Sequence, residues 1–163
     1  MIEVCGRCIG LWMREAKLMK IMIGCDHGGF ELKEVLKKYL ADKGHEVEDA
    51  GAYTPDRVDY PDYAKKVGEA VAAGKAEQGI LICGTGLGMS IAANKIHGIR
   101  AAVCGDCYSA EKAREHNNAN ILCLGARVLG TGLAEQIVDA YLGASFLGSY
   151  HTQRVQKIMD LEK

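Results

Sequence analysis

The sequence predicts an α/β fold: a doubly wound, five-stranded parallel sheet with helices on both faces. Three observations carry the prediction. Short apolar runs ending in Gly or a polar residue alternate five times with segments of helical hydrophobic spacing. No Gly-, Pro- or Ser-rich linker and no low-complexity stretch divides them. A chain of 163 residues, 48% hydrophobic and 25% charged, has the size and composition of one domain with a sizeable core.

The elements follow in order. "KIMIGCD" (20–26) is the first strand, and "FELKEVLKKYLADKG" (30–44) the first helix, with Leu32, Val35, Leu36, Tyr39 and Leu40 at helical spacing and Gly44 placed to end it. "HEVEDAG" (45–51) is a weaker second strand. Pro61 suits the first turn of the helix "YPDYAKKVGEAVAAG" (60–74). "GILIC" (79–83) is the third strand and "MSIAANKI" (89–96) its helix. "IRAAVCG" (99–105) and "YSAEKAREH" (108–116) form the fourth unit. "NILCLG" (120–125) and "GLAEQIVDAYLG" (132–143) form the fifth, with Leu133, Ile137, Val138, Tyr141 and Leu142 expected on one face. The tail "SYHTQRVQKIMDLEK" (149–163) carries a short apolar stripe, Val155, Ile158 and Met159. A helix so short is marginal alone, so it is expected to pack on the body or on a partner subunit. The whole is a three-layer, Rossmann-like sandwich.

Composition excludes several classes of function. A formal net charge of -1 gives no basic field for nucleic acid or an anionic membrane, so an anion site must be a local cluster. The apolar runs are too short to cross a bilayer. The seven cysteines are odd in number, and the first residues mix Glu3, Arg7, Arg14 and Glu15 into their apolar positions, unlike the core of a signal peptide. Free thiols in a reducing cytoplasm are expected.

Ligands of doubly wound sheets bind beyond the carboxyl ends of the strands. The residues expected there are Asp26 and His27, Gly51, Cys83 to Gly86, Gly105 and Asp106, and Gly125 to Arg127. The loop in "ILICGTGLGMSIAANK" (80–95) admits three readings. Gly84, Gly86 and Gly88 match a dinucleotide fingerprint weakly, because position 89 is Met and the loop follows the third strand. A zinc site would need Cys5 and Cys8 to join Cys104 and Cys107, although the two pairs belong to opposite edges of the sheet; buried, inert thiols are the simpler reading for Cys25, Cys104 and Cys123. The third reading is catalytic. Cys83 stands at a helix N-terminus, where backbone N–H groups and the helix dipole favour a thiolate. The N–H groups of Gly84 to Gly88 and the Thr85 hydroxyl can hold an oxyanion. A base beside an oxyanion hole is the apparatus for removing a proton next to a carbonyl. His27 or His116 can move protons near neutral pH. Arg127, His151 and Arg154 form a candidate anion clamp, all expected near one edge.

The segments "MKIMIGCDHGGFELK", "DYPDYA", "ILICGTGLGMSIAANK", "GIRAAVC", "REHNNANILCLGARV" and "HTQRV" together resemble the type B ribose-5-phosphate isomerases and the related galactose- and allose-6-phosphate isomerases. The resemblance covers Met19 to Lys163. It implies a similar doubly wound domain, a homodimer or dimer of dimers with the active site at the subunit interface, and aldose–ketose isomerisation of a sugar phosphate with no metal or other cofactor. By the same resemblance Cys83 matches the base that carries the proton between C1 and C2. Thr85, with the backbone of Gly84, Gly86, Leu87 and Gly88, matches the enediolate-holding loop. His116 matches the ring-opening residue. Asp26, His27, Tyr60 and Asn117 match substrate contacts, and Arg127 and Arg154 match phosphate ligands with His151 beside them. Cys83, with Ser at position 90, is similar to the cysteine-using members, and His116 separates this chain from galactose-type subunits that lack it.

Two departures stand out. Tyr150 in "LGSYHTQR" occupies a position where the family has an arginine phosphate ligand, and a phenol offers one hydrogen bond and no charge. That leaves a six-carbon sugar phosphate as an alternative substrate. Residues 1–18 also precede the point where the family begins, so they are expected to be a weakly tied added segment or the product of a start assigned too early, ahead of a domain over 19–163.

Overall fold

Five strands, β1 (Lys20–Cys25), β2 (Glu46–Asp49), β3 (Gln78–Cys83), β4 (Ala101–Val103) and β5 (Ile121–Gly125), make one sheet in the order β2-β1-β3-β5-β4, with every pairing parallel. The structure, a computed structural model, describes residues 18–162. The expectations placed on residues 1–17, Cys5 and Cys8 among them, lie outside the described residues. Six helices connect or follow the strands: α1 (Phe30–Asp42), α2 (Tyr60–Ala72), α3 (Leu87–Ala93), α4 (Cys107–Asn117), α5 (Thr131–Gly143) and α6 (Tyr150–Met159). The doubly wound parallel sheet read from the sequence is the fold observed.

Successive strand residues point to opposite faces, and both faces are apolar. Ile21, Ile23, Ile80, Ile82, Leu122 and Leu124 pack with Leu32, Leu36 and Leu40 of α1, Ala110 of α4, and Ile137, Val138 and Tyr141 of α5. Met22, Leu81, Cys83, Ile121 and Cys123 pack with Ala64, Val67 and Val71 of α2 and Met89 and Ala93 of α3. Burial of each large aliphatic side chain contributes about 1.5–3 kcal/mol, which fixes the sheet between its helix layers.

Three details differ from the sequence reading. In α1, Val35 is 40% exposed and Lys33 is fully buried in its stead. In α5, Leu133 is 41% exposed and Ala134 is buried. The helix turns its small residue inward there, because α4 lies close against α5. The fourth strand is only Ala101–Val103, since β4 is an edge strand with a single neighbour to hold it. The C-terminal helix α6 packs on α4, and Glu162 beyond it accepts from the Gly98 N–H at 3.0 and 3.1 Å.

The chain leaves β1 for the edge strand β2 and returns to β3 on the other side of β1. The crevice between the carboxyl ends of β1 and β3 is therefore a topological switch point, the place where such sheets accept ligands. Asp26 and His27 follow one of these strands, and Cys83 ends the other.

Candidate active site

Cys83 is the last residue of β3 and is 5% exposed. The chain then turns sharply into α3, and Gly86 makes the turn possible. Gly86 has φ +79°, and a Cβ there would lie 2.8 Å from Val103 Cγ2 and 3.0 Å from the Leu124 carbonyl carbon. This turn directs the Gly86 N–H at Cys83, whose Sγ accepts it at 3.1 Å. Thr85 is exposed, and its Oγ1 accepts from the Leu87 N–H at 3.4 Å. The loop is pinned from β5: the Ala126 N–H donates to the Cys83 carbonyl at 2.8 Å and the Arg127 N–H to the Gly84 carbonyl at 3.0 Å.

Asp26, His27, Tyr60 and Arg127 surround this loop. Asp26 is buried, and its Oδ1 accepts from the N–H groups of Gly28 and Gly29 at 2.9 and 3.1 Å, capping a short 3-10 turn over His27–Gly29. His27 is partly exposed and its Nδ1 accepts from the Val58 N–H at 3.5 Å, which places the proton of the neutral ring on Nε2. The Tyr60 ring lies against Gly88, 2.9 Å from where a Cβ would stand. Arg127 lies across two glycines: a Cβ on Gly84 would be 3.5 Å from its Nε, and one on Gly28 would be 3.6 Å from its Nη2. A thiol, a set of loop N–H groups, an imidazole and a guanidinium thus share the switch-point crevice.

His116, Asn117, Tyr150, His151 and Arg154 form a second cluster, at the other edge of the sheet. This corrects the expectation that all the candidates gather near one edge. α4 begins beyond the carboxyl end of β4 and runs back for about 1.5 Å per residue. It ends at the amino edge, where the Asn120 N–H donates to the carbonyl of Arg100, just before β4. His116 and Asn117 lie in its last turn. The Leu147 N–H donates to the Glu115 carbonyl at 3.0 Å, which brings the start of α6 to the same place. There the His151 ring stacks on His116 with centroids 4.2 Å apart and an interplanar angle of 11°. Tyr150 covers the His151 ring at 4.1 Å, and the Arg154 guanidinium lies 5.2 Å from the Tyr150 ring centroid. Within one chain the expected clamp is therefore divided, with Arg127 in the first cluster and His151 and Arg154 in the second.

The five described cysteines are free thiols. Burial pushes Cys25 and Cys104 up to about 11 and Cys123 well above the ordinary thiol range, which makes these three poor nucleophiles. Among the described residues, no group of three His, Cys, Asp or Glu converges as a metal site would require.

Sequence reasoning missed the support behind Asp26 and His27. The Lys33 ammonium is fully buried; it donates to both Asp49 carboxylate oxygens at 2.9 Å and to the Ala52 carbonyl at 2.6 Å. The Gly51 carbonyl accepts from the Cys25 N–H, and the Ala52 N–H donates back to Cys25. A lysine inside an apolar helical stripe was the available signal.

The ribose/galactose isomerase family model matches residues 21–158. The chain is 52% identical over 146 residues to ribose-5-phosphate isomerase B of Escherichia coli (strain K12), covering 90% of this chain and 98% of that protein. It is 46% identical over 143 residues to D-erythrulose-4-phosphate isomerase of Pectobacterium atrosepticum, covering 86% and 93%. The solved structure of Clostridium thermocellum ribose-5-phosphate isomerase B superposes with a TM-score of 0.88 at 56% identity, covering 88% of this chain and 97% of that one.

Proposed function

This chain belongs to the ribose/galactose isomerase family, and we propose that it interconverts ribose 5-phosphate and ribulose 5-phosphate through an enediolate. The observation that carries the reading is the Gly86 N–H aimed at the Cys83 sulfur at 3.1 Å in the switch-point crevice. In the proposed reaction His116 opens the sugar ring by moving a proton between the ring oxygen and the anomeric hydroxyl. The Cys83 thiolate then takes the proton from C2 of the open-chain aldehyde. The electron pair moves onto the carbonyl oxygen, and the loop N–H groups with Thr85 hold the charge that develops there. The proton of the C2 hydroxyl passes to the C1 oxygen, and the thiol returns its proton to C1 as the C2 oxygen becomes the carbonyl, so no redox partner is needed. Asp26, His27, Tyr60 and Asn117 hold the sugar, and Arg127 and Arg154 receive the phosphate, with His151 beside them.

This assignment needs two copies of the chain. His116 and Cys83 stand at opposite edges of one sheet, so a homodimer that sets the carboxyl edge of one protomer against the amino edge of the other would complete the site. The exposed apolar residues support such a contact. Leu87 and Ile91 on α3 and Val103 on the edge strand are 54%, 64% and 41% exposed. A cleft of about 640 Å³ beside β4 is lined by Ile96, Ile99, Ala102, Ile158 and Leu161. Unpaired strand edges need such cover.

A six-carbon sugar phosphate is the second reading, favoured by one observation: Tyr150 gives the phosphate region a neutral ring in place of a cation. A panel of ribose 5-phosphate, allose 6-phosphate, galactose 6-phosphate and erythrulose 4-phosphate, assayed with purified protein, decides between them. The first reading expects the highest kcat/KM on ribose 5-phosphate. A higher value on a hexose phosphate selects the second, and turnover of none rejects both.

A further inference from the structure

We propose that His151 is a positioning residue for His116, the two rings forming one proton-holding unit in which His116 carries the charge and His151 stays neutral. The proposal rests on the reading of His116 as the ring-opening residue and adds a partner to it. The two imidazole planes are nearly parallel and the rings stack with centroids 4.2 Å apart. Two imidazolium ions would repel strongly at that separation, so the pair carries at most one charge.

Position in the fold decides where that proton resides. His116 is in the last turn of α4, where unpaired carbonyls present the negative end of the helix dipole. His151 is in the first turn of α6, at the positive end. His151 is 5% exposed, and its Nε2 is shut from solvent with no hydrogen-bond partner among the described residues. Protonation would place a charged, orphaned N–H there, whereas a neutral ring can leave a lone pair. The charges facing the pair are Arg154 on α6 and Glu115 on α4, the latter engaged by Lys112 at 2.6 Å. Burial pushes the His151 imidazole down, the charges of His116 and Arg154 add to that push, and Glu115 opposes it without reversing it.

The same contacts orient His116. Tyr150 closes the far face of His151 at 4.1 Å, so Tyr150, His151 and His116 form a column of three rings. His116 cannot turn about its side-chain axis without breaking the stack. The proton it carries is thereby held in a fixed direction for transfer.

The test is a carbon-detected NMR titration of the histidine ring signals in the full-length protein, with His116→Asn and His151→Phe used for assignment. His151 is expected to keep its neutral signature down to the acid limit of the fold. Titration of His151 at or above the pH of His116 overturns the proposal. In the assay, His151→Ala is expected to lower kcat by about tenfold or more with a smaller change in KM, and His151→Phe, which keeps a ring in the column, to retain about tenfold more kcat than His151→Ala. Equal losses in the two variants, or an unchanged kcat and pH profile in His151→Ala, also overturn it. Should His151→Ala not fold, the titration and the Phe variant decide. Should the protein turn over no sugar phosphate, the isomerase reading falls, and the titration still decides the state of the pair.

Discussion

The ammonium of Lys33 holds both carboxylate oxygens of Asp49 at 2.9 Å, inside the fold and directly behind the loop that carries the crevice residues. Lys33 also donates to the Ala52 carbonyl, and Gly51 and Ala52 exchange hydrogen bonds with Cys25, the residue before Asp26. A buried lysine is tolerated here because its donors find acceptors on two sides. Lys33→Met keeps the volume and removes the charge. Lys37 remains on Asp49 at 2.6 Å, so the cost falls at the low end for a broken buried pair, about 3 kcal/mol. Urea or thermal unfolding checks this: for a chain of this size the midpoint is expected to drop by roughly 6–12 °C. A change of less than about 1 °C would mean that the pair contributes nothing net.

Asp49 also makes stability depend on pH. Burial alone would raise its carboxyl, but hydrogen bonds from Lys37 and Lys33 outweigh burial and hold it below the usual carboxylate range. For a carboxyl lowered by folding, the added stability is fully present above the unfolded pKa, near 3.8, and is lost as pH falls through the lower folded value. Asp49→Asn removes that contribution at every pH. The stability difference between the natural chain and Asp49→Asn is therefore expected to be constant near neutrality and to shrink below about pH 4. Denaturant melts at a series of pH values measure it, and a gap that widens in acid would contradict the assignment.

Much of this architecture was legible in the sequence because apolar periodicity reports which surfaces must leave water. The strands and helices are recovered by that rule, and Gly84, Gly86 and Gly88 mark the loop because the turn after Cys83 admits no side chain at position 86. What was not legible has physical reasons. Periodicity treats Lys33 as a break in the stripe, although Asp49 and Ala52, brought in by the second strand, let it be buried. Val35 faces outward for the complementary reason. The location of His116 depends on helix direction: about three helical turns carry the chain back to the amino edge, so nearness in sequence to Cys104 and Asp106 says nothing about nearness in space. The column of Tyr150, His151 and His116 joins α4 to α6, and no local pattern in either segment foretells it.

The division of the candidate site between the two edges leads to a complementation test. Cys83→Ala is expected to lose the contribution of a general base, about 10²–10⁴ in kcat, while keeping its fold. His116→Asn is expected to lose turnover on the cyclic substrate. If the site is built from Cys83 of one protomer and His116 of another, mixing and refolding the two variants in equal amounts restores one complete site in each mixed dimer. Half of the dimers are then mixed, and activity is expected to return to roughly a quarter of the natural value. Sedimentation confirms the dimer in the same samples. If no activity returns although mixed dimers form, Cys83 and His116 do not complete one site across the interface, and the assignment of His116 to this site is wrong.

Tyr150 permits a test in the direction of gain. The Arg154 guanidinium lies over its ring at 5.2 Å, and both side chains are exposed. Tyr150→Arg gives up that cation–π contact, about 0.5–1 kcal/mol at an exposed site. It adds a second guanidinium, and a charge-assisted hydrogen bond to a phosphate contributes about 1.5–3 kcal/mol. The balance favours the substitution: KM for ribose 5-phosphate is expected to fall by roughly tenfold, with kcat changed less. Its dependence on ionic strength is expected to steepen, because an exposed charge pair is screened by salt. Inorganic phosphate, as a competitive inhibitor, is expected to bind more tightly to the variant in the same proportion. An unchanged KM together with unchanged inhibition by phosphate would place position 150 away from the phosphate. The tyrosine would then act through its ring on His151 alone.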